Sequence, residues 1–401
     1  MRIVLVTAFP DDPGKPRGGV EAVSVTLVRQ LSAFEDLDVH VVTVRPDVSV
    51  GSVTWNGATI HTLRRRGRRM LTGAIGADRR QVQRLLRTLA PAVVHAHDTF
   101  GLMVKGLPMP RVLTIHGFIH SDTRIAGARL ARLRSAAWRL VEARAWADYP
   151  HLIAISPYVR ERLAGIATGT IHDIDNPIDA LFFAIPRQDQ SPTVFSAAVV
   201  SRRKNTLGLV EAFGRVRRSG IDAALRLAGP IVEPAYRQQV VDRIDELGLA
   251  PHVTWLGAIS SAEVAAELSR ASVFALVSRE ENSPLGIEEA MAAGVPVVTS
   301  NRCGMPYMVR DGTTGYLVDP EDPDDIAARL GELLRDPAHA RRMGERGRAV
   351  ARERFHPDEV ARRTRAVYAR AAGRALGDPV VRAQAPDAAS VALPAALPVR
   401  D

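Results

Sequence analysis

The stretch Ser278–Pro296, S-R-E-E-N-S-P-L-G-I-E-E-A-M-A-A-G-V-P, constrains the fold more than any other part of this chain. An apolar run, Val273 to Val277, precedes it, and another, Val295 to Val298, follows. Between them, E-A-M-A-A-G reads as a short helix that stops at Gly294. Strand, loop, helix, glycine stop and strand make one βαβ unit, the crossover that parallel strands require. Glu281 and Glu289 are separated by seven residues. Eight residues of continuous helix turn through about 800°, so a fully helical pair would not share a face. Glu281 is therefore expected on the loop and Glu289 just inside the helix. There they would flank a positive helix N-terminus, where phosphates bind readily.

The same alternation runs through the whole chain. Apolar runs at Ile3–Val6, Val39–Val44, Val93–His97, Val112–Ile115 and Leu152–Ile155 are separated by helical patterns such as Val20–Leu31. A second series begins at Val194–Val200 and continues through Ala224–Ala228, Val253–Leu256, Val273–Val277 and Val297–Ser300. Strands alternating with helices predict α/β, doubly wound parallel sheets. Pro177, Pro186 and Pro192 mark an aperiodic stretch between the two series. The expected organisation is a first domain over 1–180, a linker over 181–191 and a second domain over 192–356. An amphipathic helix follows over 357–372. The alanine- and proline-rich end, 373–401, has no sustained period and is expected to be disordered.

With 401 residues, 46% hydrophobic and 24% charged, the chain suits two soluble domains. Its single cysteine, Cys303, excludes an intramolecular disulfide framework and fits a reducing compartment. The apolar run of M-R-I-V-L-V-T is too short for a signal peptide and reads as a first strand. A cytoplasmic protein is expected, with peripheral membrane association as the other option. The net charge of +9 is carried almost wholly by arginine, with lysine only at Lys15, Lys105 and Lys204. That balance suits phosphorylated substrates or anionic lipid. No nucleic-acid module or aromatic interleaving accompanies the basic runs, so nucleic acid is not expected as a partner.

The E-x7-E element followed by A-M-A-x-G-x-P-V resembles the signature of retaining glycosyltransferase family 4, the glycosyl transferases group 1, with the GT-B fold. Glu280 and Glu288 form a second pair at the same spacing, but Ala290-Met291-Ala292 selects Glu281 and Glu289. The resemblance implies two Rossmann-like domains facing across a cleft, the first on the acceptor side and the second binding the nucleotide sugar. It implies that helix 357–372 crosses back to the first domain. It also implies Glu281 beside the donor sugar and Glu289 on the ribose.

Further positions follow from the same resemblance. Gly18-Gly19, between the first strand and a helix, matches a glycine loop near the donor diphosphate; as residues, they are also a plain strand-to-helix turn. His116, in T-I-H-G at a strand end, matches the active-site histidine. His95, His97 and His120 compete by residue type alone. Lys204, in S-R-R-K-N, matches the lysine that clamps the diphosphate. Ala198 and Val199 stand where the family has glycine and arginine, so Arg202 or Arg203 is left to supply a second contact. Asn282, Ser283, Pro284 and Leu285 occupy the donor loop, with Pro284 expected at the first helical position. Gly229 and Gly257 match strand-end glycines near the nucleotide pocket and are equally ordinary turn residues. Asp-x-Asp strings occur at Asp36, Asp173 and Asp322, and the last lies in a turn into a helix start, where acids serve as caps. No metal site and no cofactor are expected.

The implied activity transfers a sugar from a UDP- or GDP-linked donor to an acceptor hydroxyl on a small molecule, a glycan or a lipid-linked substrate. A sugar-nucleotide epimerase or hydrolase of related fold, and a non-catalytic sugar-nucleotide-binding protein, are the rival readings. Arg129–Trp146 reads as a basic amphipathic helix, and Arg64-Arg65-Arg66-Gly67-Arg68-Arg69 as a second basic run. Such elements suit peripheral contact with an anionic membrane. A core-facing helix with solvated arginines is the slightly favoured alternative.

Overall fold

The computed structural model describes residues 1–46, 48, 50–67, 70–119, 131–188, 192–375, 377 and 379–382. His120, Leu130 and Arg129, the Arg68-Arg69 pair, and most of the tail beyond 373 lie outside the described residues. The chain divides into two compact units, residues 1–177 with 357–382 and residues 178–356.

The first unit begins with β1 (Arg2–Val6), α1 (Gly19–Ala33), β2 (Asp38–Arg45), β3 (Gly51–Trp55) and β4 (Ala58–Arg64). It continues with α2 (Met70–Ile75), α3 (Ala77–Leu89), β5 (Val93–His97), α4 (Phe100–Val104) and β6 (Arg111–Ile115). Then come α5 (Ala131–Trp146), β7 (His151–Ala154), α6 (Pro157–Leu163) and β8 (Thr170–Asp173). The second unit holds β9 (Thr193–Ala197), α7 (Thr206–Arg218), β10 (Ala224–Ala228), α8 (Pro234–Glu246) and β11 (Val253–Gly257). It is completed by α9 (Ser261–Arg270), β12 (Val273–Leu276), α10 (Leu285–Ala292), β13 (Val297–Ser300), β14 (Gly315–Val318), α11 (Pro323–Arg335) and α12 (Pro337–Arg354). The last helix, α13 (Pro357–Ala371), returns to the first unit.

The first sheet has eight strands in the order β3-β4-β2-β1-β5-β6-β7-β8. All pairs are parallel except the β3–β4 hairpin. Its turn is Asn56-Gly57, both at positive φ, 43° and 79°, which is the left-handed pair that a tight hairpin demands. The second sheet has six strands, all parallel, in the order β11-β10-β9-β12-β13-β14. Order reverses there between β9 and β12, and in the first sheet between β1 and β5. Open sheets bind ligands at the carboxyl ends of strands flanking such a reversal. Each unit is a Rossmann-like doubly wound domain, and together they form the GT-B fold.

The central strands of both sheets are mostly apolar on both faces because helices cover both sides. In the second unit, Phe195, Phe274, Ile287, Ala290 and Met291 are buried on one face of the sheet, and Val194, Phe213, Val240 and Leu330 on the other. Phe182, Phe183 and Ile185 belong to this unit's core. The sequence starts its helices at recognisable caps. Ser260 and Glu263 form a reciprocal capping box on α9, and Asp322 with Pro323 opens α11. In the first unit, α5 buries Ala145 and Trp146, while Leu133 and Leu140 are 68% and 52% exposed. This helix therefore turns two of its leucines outward and does not face the core along its whole length.

Candidate active site

In the second unit the loops leaving β9 and β12 lie side by side at the reversal point. Arg279 N donates to Arg203 O at 2.8 Å. Arg279 Nη1 donates to Arg202 O at 2.7 Å, and Arg203 Nη1 to Glu280 O at 2.9 Å. The β9 loop is also pinned from below. Asn205, in the left-handed region at φ 57°, donates its Nδ2 to Pro320 O at 2.7 Å.

Across these stapled loops, three charges meet. Lys204 Nζ lies 2.5 Å and Arg203 Nη1 2.7 Å from the same atom, Oε1 of Glu281. Glu281 is on the loop and buried, with 9% exposure. Burial alone would raise its pKa, but Lys204 and then Arg203 outweigh it and hold the carboxyl below the usual range. Arg202 turns the other way. Its Nη2 donates to Gln239 Oε1 at 3.0 Å, and its guanidinium sits 5.2 Å from the Tyr236 ring centre. Of the basic residues singled out in the sequence, Arg203 and Lys204 converge and Arg202 does not.

The β12 loop is shaped by two glycines that sequence reasoning missed. Gly304 N donates to Glu281 O at 2.8 Å. A Cβ on Gly304 would lie 1.8 Å from Asn282 O, so only glycine permits this approach. On Gly286, a Cβ would come within 3.3 Å of Ala197 O and 3.0 Å of Phe274 Cζ. Gly286 therefore lets α10 settle on the ends of β9 and β12. Pro284 is the N-cap of α10, at φ −74° and ψ 121°, and not its first helical residue as expected from the sequence. Leu285 holds that place, and Leu285 and Gly286 supply the first backbone N–H groups of the helix.

The competing glutamates separate cleanly. Glu288 has no exposed area, and its Oε1 accepts from Ser283 Oγ at 2.6 Å. It faces inward and braces the loop. Glu280 is partly exposed and holds Arg203 only through its backbone carbonyl. Glu289 lies on α10, half-buried. Burial, and then the charge of Asp179, push its carboxyl up to about 7. Asp179 was not anticipated. It caps the turn Ala180–Phe183, its Oδ1 accepting from Leu181 N at 3.0 Å.

In the first unit, Gly18 is the N-cap of α1 in extended backbone and Gly19 its first residue. Arg17 N donates to Glu21 Oε2 at 2.7 Å. A Cβ on Gly18 would meet nothing within 4 Å, so the turn does not need glycine for its own packing. What Gly18 provides is open space before a helix N-terminus.

His116 follows β6. Its backbone N donates to Asp98 Oδ1 at 2.7 Å, as does Gly117 N at 3.2 Å. Asp98, at φ 45°, follows β5. The His116 ring pairs Nδ1 with Asn176 Oδ1 at 3.1 Å and Nε2 with His97 Nδ1 at 3.0 Å. Burial lowers the His116 pKa, partly offset by Asp98 and the Asn176 bond. His95 is fully buried between Tyr368 OH on α13 and Thr114 Oγ1, each at 2.7 Å. Asp98, Asn176 and Tyr368 were not singled out from the sequence. Of these, the Asp directly after a strand's His-x-His was the one readable signal.

Among the described residues, no group of three or more His, Cys, Asp or Glu side chains is placed to hold a metal ion. None of their helices is long and apolar enough to cross a membrane.

Residues 17–180 match the model of glycosyltransferase family 4, and residues 177–350 that of glycosyl transferases group 1. An MMP α-(1→4)-mannosyltransferase of Mycolicibacterium hassiacum is 30% identical over 70% of this chain and 71% of that protein. The chain belongs to the glycosyl transferases group 1 family. This glycosyltransferase is also 36% identical to a GDP-mannose-dependent α-(1-6)-phosphatidylinositol monomannoside mannosyltransferase of Mycolicibacterium smegmatis. That match spans 39% of this chain and 42% of the relative. Sucrose-phosphate synthase from Thermosynechococcus elongatus shares the fold of this glycosyltransferase with a TM-score of 0.77. The superposition covers 92% of this chain and 98% of that one, at 21% identity.

Proposed function

We propose that this glycosyltransferase is a retaining enzyme that moves a hexose from a nucleoside diphosphate sugar to an acceptor hydroxyl. The observation that carries the proposal is the convergence of Lys204 and Arg203 on Glu281 at the reversal point of the second sheet. A buried carboxylate that holds two cations beside a helix N-terminus stores positive charge where a diphosphate would bind.

In this reading the leaving diphosphate gains negative charge in the transition state. Lys204, Arg203 and the first N–H groups of α10 stabilise it. Glu281 exchanges its cations for donor-sugar hydroxyls, and Glu289 takes the ribose. Asn282, Ser283, Pro284 and Leu285 form the donor loop. Gly18 and Gly19 leave room for the diphosphate, and His116 serves the same reaction from the first unit. No residue pair in the sequence reads as a double-displacement nucleophile, so a front-face mechanism is the economical one. Charge neutralisation by cations and helix N–H groups makes the reaction independent of metal.

GDP-mannose is the first donor to test, because two relatives are mannosyltransferases and one is named for that donor. UDP-sugars come second. Where the acceptor is lipid-linked, the outward Leu133 and Leu140 of α5, with Arg139 and Arg144, would meet an anionic surface. Co-sedimentation with anionic vesicles that is lost as salt rises tests that contact.

The deciding experiment is a donor screen of the purified protein by mass spectrometry, followed by an acceptor screen with the donor that is consumed. Transfer with the anomeric configuration of the donor kept, unaffected by EDTA, supports the reading. Nucleotide release without any acceptor product favours a hydrolase or epimerase, and binding without turnover favours a non-catalytic protein.

A further inference from the structure

The histidines at the ends of β5 and β6 form a directed chain that the reading above does not use. Asn176 Oδ1 is an acceptor, so the His116 nitrogen facing it, Nδ1, carries a proton. In a neutral ring the other nitrogen, Nε2, is then bare and accepts from His97 Nδ1–H. His97 in turn is left with a bare Nε2. His97 has no exposed area, and that nitrogen has no hydrogen-bond partner among the described residues. The rings of His97 and His116 are 5.0 Å apart, and those of His95 and His97 4.6 Å. Burial keeps all three imidazoles below their usual pKa and therefore uncharged at neutral pH.

A fully buried ring with one unpaired nitrogen costs folding free energy that an apolar side chain of similar size would not. His97 is therefore a poor filler for this site. What it contributes is its one hydrogen bond, to the ring of His116.

We propose that His97 is a positioning residue that, with Asn176 on the other ring nitrogen, holds His116 as the Nδ1–H tautomer in a single ring orientation. The inference rests on the reading of His116 as an active-site residue. Its consequence is specific. With Nε2 taken by His97, the proton that His116 offers to a ligand oxygen is on Nδ1, where Asn176 now accepts it. His116 then acts toward the donor as a hydrogen-bond donor, and not as a base through Nε2. Holding such a group in one plane matters because small misplacements cost turnover more than binding.

The test uses the full chain labelled with ¹⁵N-histidine, with His116→Gln to assign the His116 ring signals. Long-range proton–nitrogen spectra should show wild-type His116 protonated on Nδ1. In His97→Leu the signals should shift toward a tautomer mixture, and turnover should fall by about tenfold to a hundredfold with the donor KM nearly unchanged. An asparagine amide nitrogen overlays imidazole Nδ1, so His97→Asn should restore the tautomer and most of the turnover. A glutamine amide overlays Nε2, so His97→Gln should not, and it stands in if His97→Leu fails to fold. Unchanged His116 signals in His97→Leu or His97→Gln overturn the proposal. So does loss of the tautomer in a folded His97→Asn. The spectra need no turnover, so failure of the wild type to transfer sugar would count against the proposed function and leave this inference to be decided separately.

Discussion

Lys204 Nζ and Arg203 Nη1 share one oxygen of Glu281, 2.5 Å and 2.7 Å away. The carboxylate is buried, and the three charges hold one another in place. Removing one member exposes the others. Lys204→Ala should weaken binding of a nucleoside diphosphate by about 1.5–3 kcal/mol, the range for a charge-assisted contact. Glu281→Gln removes the counter-charge but keeps the shape. It should leave diphosphate affinity equal or tighter, while turnover drops about 10²-fold or more through loss of a positioned group. Calorimetry and steady-state kinetics check both. A Glu281→Gln protein that binds nucleotide much more weakly would place Glu281 on the nucleotide and not on the sugar.

The close pass of Asn282 O over Gly304 makes a second outcome sharp. A Cβ there would lie 1.8 Å from a backbone oxygen that cannot swing aside. Gly304→Ala must displace the Glu281–Ser283 loop, at a cost of about 1–3 kcal/mol for overpacking of this kind. The expected result is a folded protein with a lower Tm and much weaker diphosphate binding. Gly18→Ala, with nothing within 4 Å, should lower Tm less than Gly304→Ala does, since a poorer N-cap costs only ~0.5 kcal/mol. Equal melting of Gly304→Ala and wild type would show that the loop does not take this path.

The two overlapping glutamate pairs give a test of register. Glu280 is partly exposed, so Glu280→Ala should be nearly silent in both stability and transfer. Glu288 is fully buried and accepts from Ser283 Oγ, so Glu288→Ala removes that bond, leaves a gap in the core and should cost about 1–3 kcal/mol. Its turnover per folded molecule should nonetheless exceed that of Glu281→Gln. Full transfer by Glu281→Gln and none by Glu280→Ala would mean that the wrong pair was chosen.

The alternating apolar runs made ten of the fourteen strands legible, because strands covered on both faces must be apolar throughout, while the short edge strands β8 and β14 were passed over. The β3–β4 hairpin was passed over, although Asn56-Gly57 marks its turn, because β3 is exposed along most of its length and carries no buried stripe. At the site, the resemblance of local motifs to those of the family pointed to Glu281, Glu289, Lys204 and His116. Their partners came from far along the chain. Asn176 lies sixty residues from His116, and Tyr368 lies 273 from His95. Gly304 meets Asn282 only because β13 lies beside β12. Local pattern cannot encode such pairings; the sheet order makes them.

Glu289 should make the second unit less stable as pH rises. Its pKa moves from 4.5 to about 7 on folding. Between those values the unfolded chain has released a proton that the folded chain keeps, so stability falls with rising pH. Glu289→Gln carries no such proton. Its Tm, measured against wild type without ligand, should therefore gain from pH 5 to about pH 7 and level off above that. A difference that stays flat across that range would show that the carboxyl is already ionised at pH 5.

The first unit should respond to acid in the opposite sense. Burial lowers His95 from 6.5 to about 3 and His172 to about 4, with His97 and His116 also lowered. Below pH 6.5 the unfolded chain binds protons that these folded imidazoles refuse, so stability drops as pH falls. Asp98, raised above 3.8 by burial, opposes this, one carboxyl against several imidazoles. In the second unit, Glu289 gains stability over the same acid interval, and the depressed Glu281 loses its contribution only below about its ordinary 4.5. Between pH 6.5 and 4.5 the two units should therefore part company. Hydrogen exchange, corrected for intrinsic rates, should show protection lost first in β5, β6 and β7 while β12 and β13 stay closed. Loss in β12 and β13 first, or at the same pH in both units, would mean that the buried histidines do not set the acid limit of the first unit.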